Sequence, residues 1–421
     1  MNSELNIQKT WHDLIVILIG AILSIITIFN IVGTIRTIGL LVIFVLFLFL
    51  NKYSQLLVLL FLTGFAADIN TSFFGIPFTS FLQISFIFKV FMNKRYVSKG
   101  MVTIVGLLLI LQIPSVMFAK QTIIHIATFM INILMMLAIS TFDDSSDDAY
   151  AKCMITFSAG IVVILIASIV RDPAFFSGIY YRFKGIWNDQ NFFAMFCALA
   201  IMSLYYWMKS ARRRTAVALL LSAILLYCAY RTYSMTFIFA AALLIAAVTI
   251  DFLNSSISKQ RKLLGVILLL AISAFFFMKL YNGVISGRGR LIYTPGEDWT
   301  HGRLRDTGIV FNAWKSSITN ILFGIGVDNS VSYTGYAAHN SYVEILAQFG
   351  ILGSFPILIS IIGFIKKYNV SVPQIINERT CFVFILLMYM GTLSMQSTDV
   401  WYLFMGLFMW RFCGKIEQEE Y

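Results

Sequence analysis

Charge is scarce in this chain. Asp, Glu, Lys and Arg make up 12% of its 421 residues, while 59% are hydrophobic. A water-soluble surface needs roughly 25% charged residues, so composition excludes a soluble globular protein. The mean hydropathy of +0.84 agrees. Cysteine is sparse as well. Cys153, Cys197, Cys228, Cys381 and Cys413 all lie in or beside apolar runs, which excludes a disulfide framework, and their spacings fit no metal site. They read as buried thiols. No internal repeat is evident, which weighs against transporters built from duplicated halves. Acidic residues are outnumbered, 20 against 31 Lys and Arg, for a net charge of +11. In so apolar a chain this excess is a topology signal first and a clue to an anionic substrate second, rather than a sign of nucleic acid.

What is abundant is long apolar sequence. A bilayer span needs about 20 apolar residues, fewer with snorkelling flanks. Charge-free candidates are 14–35, 37–51, 53–67, 69–88, 100–119, 121–142 and 153–170, then 190–208, 215–230, 232–250, 263–278, 345–365, 380–398 and 400–410. The runs 37–51 and 53–67 are short and are expected to extend past Arg36 and Asp68, and 400–410 suits a re-entrant or partial span. The expectation is an all-α polytopic membrane protein of 12–14 transmembrane helices, one transmembrane domain over 1–421. The first run has only Lys9 ahead of it and no small-residue cleavage pattern after it, so it reads as a retained helix rather than a signal peptide.

Basic residues in short loops set orientation. With the N-terminus inside, 19 Lys and Arg face the cytoplasm, and six (Arg36, Lys120, Arg171, Arg182, Lys184 and Arg231) face out. This predicts cytoplasmic N- and C-termini. Asp143, Asp144, Asp147 and Asp148 then face the cytoplasm, as a solvated loop more readily than a metal site.

Two outer connections are long: Arg171–Asp189 and the 66 residues from Lys279 to Glu344. Long loops in economical proteins are usually functional. The second, the large extracytoplasmic loop 279–344 between the eleventh and twelfth spans, carries Arg288, Arg290, His301, Arg303, Arg305, Lys315 and His339. From Leu304, apolar Val310, Phe311, Trp314 and Ile318 fit an amphipathic interfacial helix. Its cations either snorkel to headgroups or hold a substrate. Gly324 and Gly326 end it with a tight turn.

In AHNSYVEILAQFGILG (338–353), Asn340 or Ser341 can cap a helix entering the membrane. His339 stands at its start, where a neutral imidazole can take a proton. Gly350 and Gly353 allow close helix packing. In YYRFKGIWNDQN (180–191), Arg182 and Lys184 precede Gly185, and Asn188 or Asp189 suits an N-cap. Arg231 occupies an outer turn, where an arginine is costly unless it is paired, snorkels or faces a wet cavity. Guanidinium forks match phosphate oxygens, so converging arginines suit a diphosphate.

At these residues the sequence resembles the O-antigen ligase/polymerase superfamily of bacterial membrane glycosyltransferases. His339-Asn340, nine residues, then Gly350-Ile-Leu-Gly353 is similar to that family's His motif. The ligase form often continues Thr-Val; here Ser354-Phe355 follows, which leans toward a polymerase. Gly302-Arg303 leading through Trp314 to ILFGIGVDN (321–329), Arg182…Gly185…Asn191, and Arg231 in its turn are further matches. The family usually has Ser-Arg at that turn, where this chain has Tyr230-Arg231. Specific motifs cover about 180–355; the first 170 residues match nothing specific.

The resemblance implies a GT-C-like, inverting, metal-independent glycosyl transfer at the outer face of the bacterial cytoplasmic membrane. The donor is a glycan on a polyprenyl diphosphate. The acceptor is a sugar hydroxyl on a second lipid-linked repeat unit in a polymerase of O-antigen, capsule or exopolysaccharide, or on lipid A core in a ligase. His339 acts as general base, with Glu344 as second base or orienter. Arg182 and Arg231 stabilise the departing diphosphate, Arg303 holds donor or acceptor at the loop, and Lys184, Asn191 and Arg305 are further substrate-binding residues. No cofactor is implied. Membrane lipid, a chain-length regulator and a flippase are the expected partners. From a different class, a lipid-linked oligosaccharide flippase shares the span count but has no need of a long outer loop bearing His339.

Overall fold

The computed structural model describes residues 2–65, 72–73, 76–92, 123–142, 146–172, 183–187, 189–210, 214–254, 303–327, 329–335, 338–355 and 400–407, with scattered positions between 103 and 117, 258 and 278, and 385 and 393, and at 410. These residues are almost wholly helical. The one strand pair among them is Ser72–Phe73 with Ile76–Pro77, two residues each. Among the described residues three helices are long and apolar enough to cross a membrane: Trp11–Ile28, Asp147–Arg171 and Gln190–Ser210; six more are apolar but shorter.

The helices described in the first 254 residues are α1 (Asn2–Ile28), α2 (Gly33–Phe49), α3 (Lys52–Leu62), α4 (Phe78–Met92), α5 (Ile123–Ser140), α6 (Asp147–Arg171), α7 (Gln190–Ser210), α8 (Thr215–Tyr230) and α9 (Met235–Asn254). α6 packs against α1, α3 and α7, and α7 also against α8. Gly160 makes the α3–α6 crossing possible: a Cβ there would stand 2.2 Å from the Phe61 carbonyl oxygen. Large apolar side chains remain exposed around the outside, including Ile17, Phe49, Phe88, Leu220 and Phe239. Water does not tolerate so much exposed apolar surface, and lipid does. The chain is therefore an all-α membrane-embedded protein.

Several span boundaries differ from those read by charge. The run 14–35 is broken: α1 stops at Ile28, Asn30 turns the chain at φ 50°, and Gly33, at φ 69°, opens α2. α2 thus extends past Arg36, as the short run 37–51 leads one to expect, and Arg36 lies in its first turn rather than in a loop. The run 69–88 starts its helix only at Phe78, because the strand pair and Pro77 come first. α6 starts six residues before 153, since the Ser146 side chain accepts the Ala149 N–H and Asp147 and Asp148 favour a helix N-terminus. The final segment, short by charge counting, is packed inside the protein: every residue from Val400 to Leu407 is buried, as an all-round apolar helix must be. Phe404 meets Phe157 edge-on at 4.8 Å, and Trp410 meets Phe142 at 5.7 Å.

Cross-element polar contacts sort the helix ends into two levels. At one end, Tyr53 donates to the Ala149 carbonyl at 2.7 Å, Lys89 to that of Leu48 at 3.0 Å, and Tyr206 to Asp147 at 3.4 Å; Arg214 pairs with Asp148 at 3.4 Å. At the other, Arg171 donates to the Thr27 carbonyl, the Phe183 N–H to the Arg231 carbonyl at 3.0 Å, and the Ile186 N–H to Ser168 Oγ at 3.0 Å. The described helices α1 to α4, and again α6 to α8, run alternately between these levels.

Candidate functional site

The long loop is built from short helices where it is described: α10 (Arg303–Lys315), α11 (Ile318–Phe323) and α12 (Ser330–Thr334). The expected amphipathic helix is α10, and it ends at Lys315 rather than running on to Ile318. Ser317 caps α11 by accepting the Asn320 N–H at 3.0 Å, so Ile318 begins a new helix and is exposed.

The buried face of α10 carries Val310 and Trp314, as the spacing suggests, but not Leu304. Asp306 and Val310 are buried, whereas Leu304 is exposed. Val310 packs with Ile325, Ala338 and Ala347, and Ala313, Trp314 and Val343 lie against them. This small core fastens α10 and the turn after α11 to the segment that carries His339.

Gly324 and Gly350 make that union possible. Gly324 has φ 85°, and a Cβ there would stand 2.2 Å from the Gln348 carbonyl oxygen; Gly350 has φ 64°, and a Cβ there would stand 2.4 Å from that of Leu322. The helix 341–355 bends at Gly350. The Ala347 and Gln348 carbonyls accept the N–H groups of Ile325 at 2.7 Å and Gly326 at 3.2 Å. Two backbones meet directly, with no room for side chains.

His339 sits in the left-handed region at φ 54°, a conformation that costs a non-glycine residue roughly 1–2 kcal/mol. Its neighbours hold it there. The Ala338 N–H donates to Glu344 Oε1 at 2.7 Å, and Thr307 Oγ1 donates to the Ala338 carbonyl at 3.4 Å. Asn340 caps the helix by accepting the Val343 N–H at 3.3 Å. Glu344 is buried, at 1% exposure, and it fixes the turn from behind, a position that suits an orienter. Strained residues held this firmly cluster at functional sites.

Arg303 and Thr307 are four residues apart and share a face of α10, so Arg303 is on the side turned to the His339 loop. Arg305 lies about 200° round the helix from Thr307; it is exposed and pairs with buried Asp306 at 3.2 Å. The structure thus separates two arginines that the sequence groups together. Ser341 donates to the Leu393 carbonyl and Tyr342 to that of Leu387, at 2.7 Å for the latter.

A second group forms around Arg231. The Phe183 N–H bonds to its carbonyl, Lys184 is exposed, and Ile186 is held by Ser168. Asp189 Oδ1 accepts the Asn191 N–H at 2.7 Å and its side-chain amide at 3.0 Å, as the N-cap reading expects. Asn191 in turn accepts from Ser234 at 2.8 Å. Asn191 is buried and braces the start of α7 against the Arg231 turn. Arg231 itself follows the last residue of α8, where a cation suits the helix dipole. Arg182, Asn188, Arg288, Arg290, His301 and Gly302 lie outside the described residues, as do Asp143 and Asp144.

Both groups lie at the same end of the bundle. Phe349 stacks on Phe129 at 4.8 Å, and Phe129 meets Tyr402 at 6.1 Å, near the end of α5 that shares its level with Arg171 and Arg231. Ser341, two helical turns before Phe349, donates to the Leu393 carbonyl, and the Leu393 N–H donates to that of Tyr389; Tyr389 lies near Cys197, and Cys197 near Cys228 beside Arg231. The two turns rest on separate supports: His339 on α10 and Glu344, Arg231 on the loop 183–187 and α7. Thr307, Ser234 and Asp306 escape a reading by sequence. Only Thr307 carries a usable signal, its four-residue spacing from Arg303. Among the described residues no group of His, Cys, Asp and Glu is placed to hold a metal, and Cys153, Cys197 and Cys228 are buried free thiols.

No protein-family model matches the chain, and no curated protein matches it at a significant level.

Proposed function

We propose that the chain is a membrane glycosyltransferase that polymerises a bacterial surface polysaccharide, with 12–14 spans, a GT-C-like architecture and cytoplasmic termini. The observation that carries the reading is the His339 turn: a histidine held in a strained conformation by Glu344 and Thr307, at the bundle end that also bears Arg231. The excess of Lys and Arg in the opposite short loops supports placing this end outside.

In this reading His339 takes the proton of an acceptor sugar hydroxyl. The hydroxyl oxygen attacks the donor's anomeric carbon from the face opposite the diphosphate. The carbon–oxygen bond to the diphosphate breaks with inversion, and the polyprenyl diphosphate leaves with the electron pair. Arg231 and Arg182, with Lys184 nearby, stabilise the charge on the leaving group. Arg303 holds substrate from the α10 face, and Glu344 positions the base. A chain-length regulator and a flippase are the partners such a reaction has in the membrane.

The test is reconstitution. Purified protein supplied with a polyprenyl-diphosphate-linked repeat unit should lengthen it on the lipid carrier. Transfer only to lipid A core would make the chain a ligase, and movement of the lipid without a new glycosidic bond would make it a flippase. A reporter after Arg214 should be cytoplasmic and one near Tyr333 external; the reverse removes the polymerase reading.

A further inference from the structure

An apolar groove of about 400 Å³ runs between α1, α3 and α6, lined among others by Gly20, Ser24, Phe61, Thr156, Ala159 and Val163. Small residues create it, since Gly20, Ala21 and Ala159 leave space where larger side chains would fill it. Its two hydroxyls are turned back on their own helices: Ser24 donates to the Gly20 carbonyl at 2.6 Å and Thr156 to that of Lys152 at 2.7 Å. The groove therefore presents hydrocarbon to its occupant, and a hydrocarbon chain is the ligand it suits.

The groove leads to a cation. Thr27 follows Ser24 by three residues on the same face of α1, and the Arg171 guanidinium clasps its carbonyl. Arg171 is three residues beyond Ser168 on α6, so the two share a face. Ser168 holds the loop at Ile186, and that loop bonds to the Arg231 carbonyl through Phe183. One continuous path thus joins the apolar groove, Arg171 and the Arg231 turn.

We propose that this groove holds the isoprenoid chain of the lipid-linked donor, and that Arg171 is an additional cation for its diphosphate. The proposal rests on the polymerase reading and names where the lipid of that substrate lies. A guanidinium carries five donors in a planar fork, so the group that clasps Thr27 also suits a phosphate oxygen. The position of this cation beside the Arg231 loop favours the diphosphate carrier over a bilayer phospholipid.

The experiment uses full-length protein in phosphatidylcholine nanodiscs with undecaprenyl diphosphate bearing a photoreactive group in its isoprenoid chain. Labelling should map to α1 near 16–24 and α6 near 155–163. Unlabelled undecaprenyl diphosphate should compete, and phosphatidylglycerol should not. Ala159→Phe and Gly20→Leu should cut labelling at least tenfold, and Arg171→Gln should weaken binding of the diphosphate but not of undecaprenol. Competition by phosphatidylglycerol, or labelling elsewhere, overturns the proposal. Mapping on the wild type decides the matter even where a groove-filling variant fails to fold. If the wild type binds no undecaprenyl diphosphate at all, the polymerase reading fails with the groove; if it binds but labels away from α1 and α6, only the groove fails.

Discussion

Two turns in this protein each carry a basic residue beside a strained backbone, and they are held in different ways. The turn after α8 has Arg231 and, at φ 47°, Tyr233; the turn before 341 has His339 at φ 54°. The first is closed mainly by its own sequence: Thr232 bonds back to Ala229 at 2.6 Å, and Ser234 caps the next helix through the Phe237 N–H. The second is closed from a distance, by Thr307 on α10, and by Glu344 one turn into the following helix. A locally closed turn is robust and serves to present a charge. A turn clamped from elsewhere has its backbone fixed by other segments, here at Ala338 just before His339.

The largest effect should come from the clamped turn. His339→Ala is expected to lower polymer formation by on the order of 10²–10⁴ while the protein stays inserted and abundant, measured by complementation of a deletion strain with quantified membrane protein. Near wild-type complementation would falsify the assignment of the base.

Glu344→Ala comes next. It leaves the buried Ala338 N–H without its acceptor, a loss of about 1–3 kcal/mol, and should release the His339 backbone. Glu344→Gln keeps an acceptor oxygen and is expected to restore most activity at an unchanged acceptor KM. If Gln is as damaging as Ala, the carboxylate acts as a base rather than as a clamp.

The Arg231 turn is tested by charge geometry. Arg231→Lys and Arg182→Lys keep the charge but lose the fork, and each should lower activity about tenfold, a loss of roughly 1.4 kcal/mol of transition-state binding. Arg36→Lys, in the first turn of α2, should be silent. Equal tolerance at all three positions would show these arginines to be interface anchors.

The smallest effect separates conformation from packing. Gly335 has φ 81° with nothing near a Cβ, whereas a Cβ on Gly324 would strike the Gln348 carbonyl. Gly335→Ala should cost only the left-handed backbone, roughly 1–2 kcal/mol. Gly324→Ala should lower thermal stability further and disturb the His339 turn. Equal melting shifts would show that the close backbone contact does not constrain the site.

The residues themselves carried much of this. Scarce charge and long apolar runs dictated membrane helices, because an unpaired backbone polar group is too costly in hydrocarbon for other structures. The Asn340 cap, the Asp189 cap and the turn at Gly324 and Gly326 were legible because capping and left-handed turns depend on neighbouring residues. Helix boundaries were less legible, since Ser146 and Asn30 outweigh a simple count of charges.

Tertiary structure alone decided which polar residues meet. That Thr307 reaches Ala338, and so that Arg303 rather than Arg305 faces the His339 turn, and that Ser168 ties the Arg231 loop to α6 depend on contacts between segments far apart in the chain. Local sequence sets each helix, and a turn such as the one at Arg231, because their hydrogen bonds close within a few residues. It does not set the packing of one helix on another, where side chains from separate segments compete for the same space, and the candidate site is made of that packing.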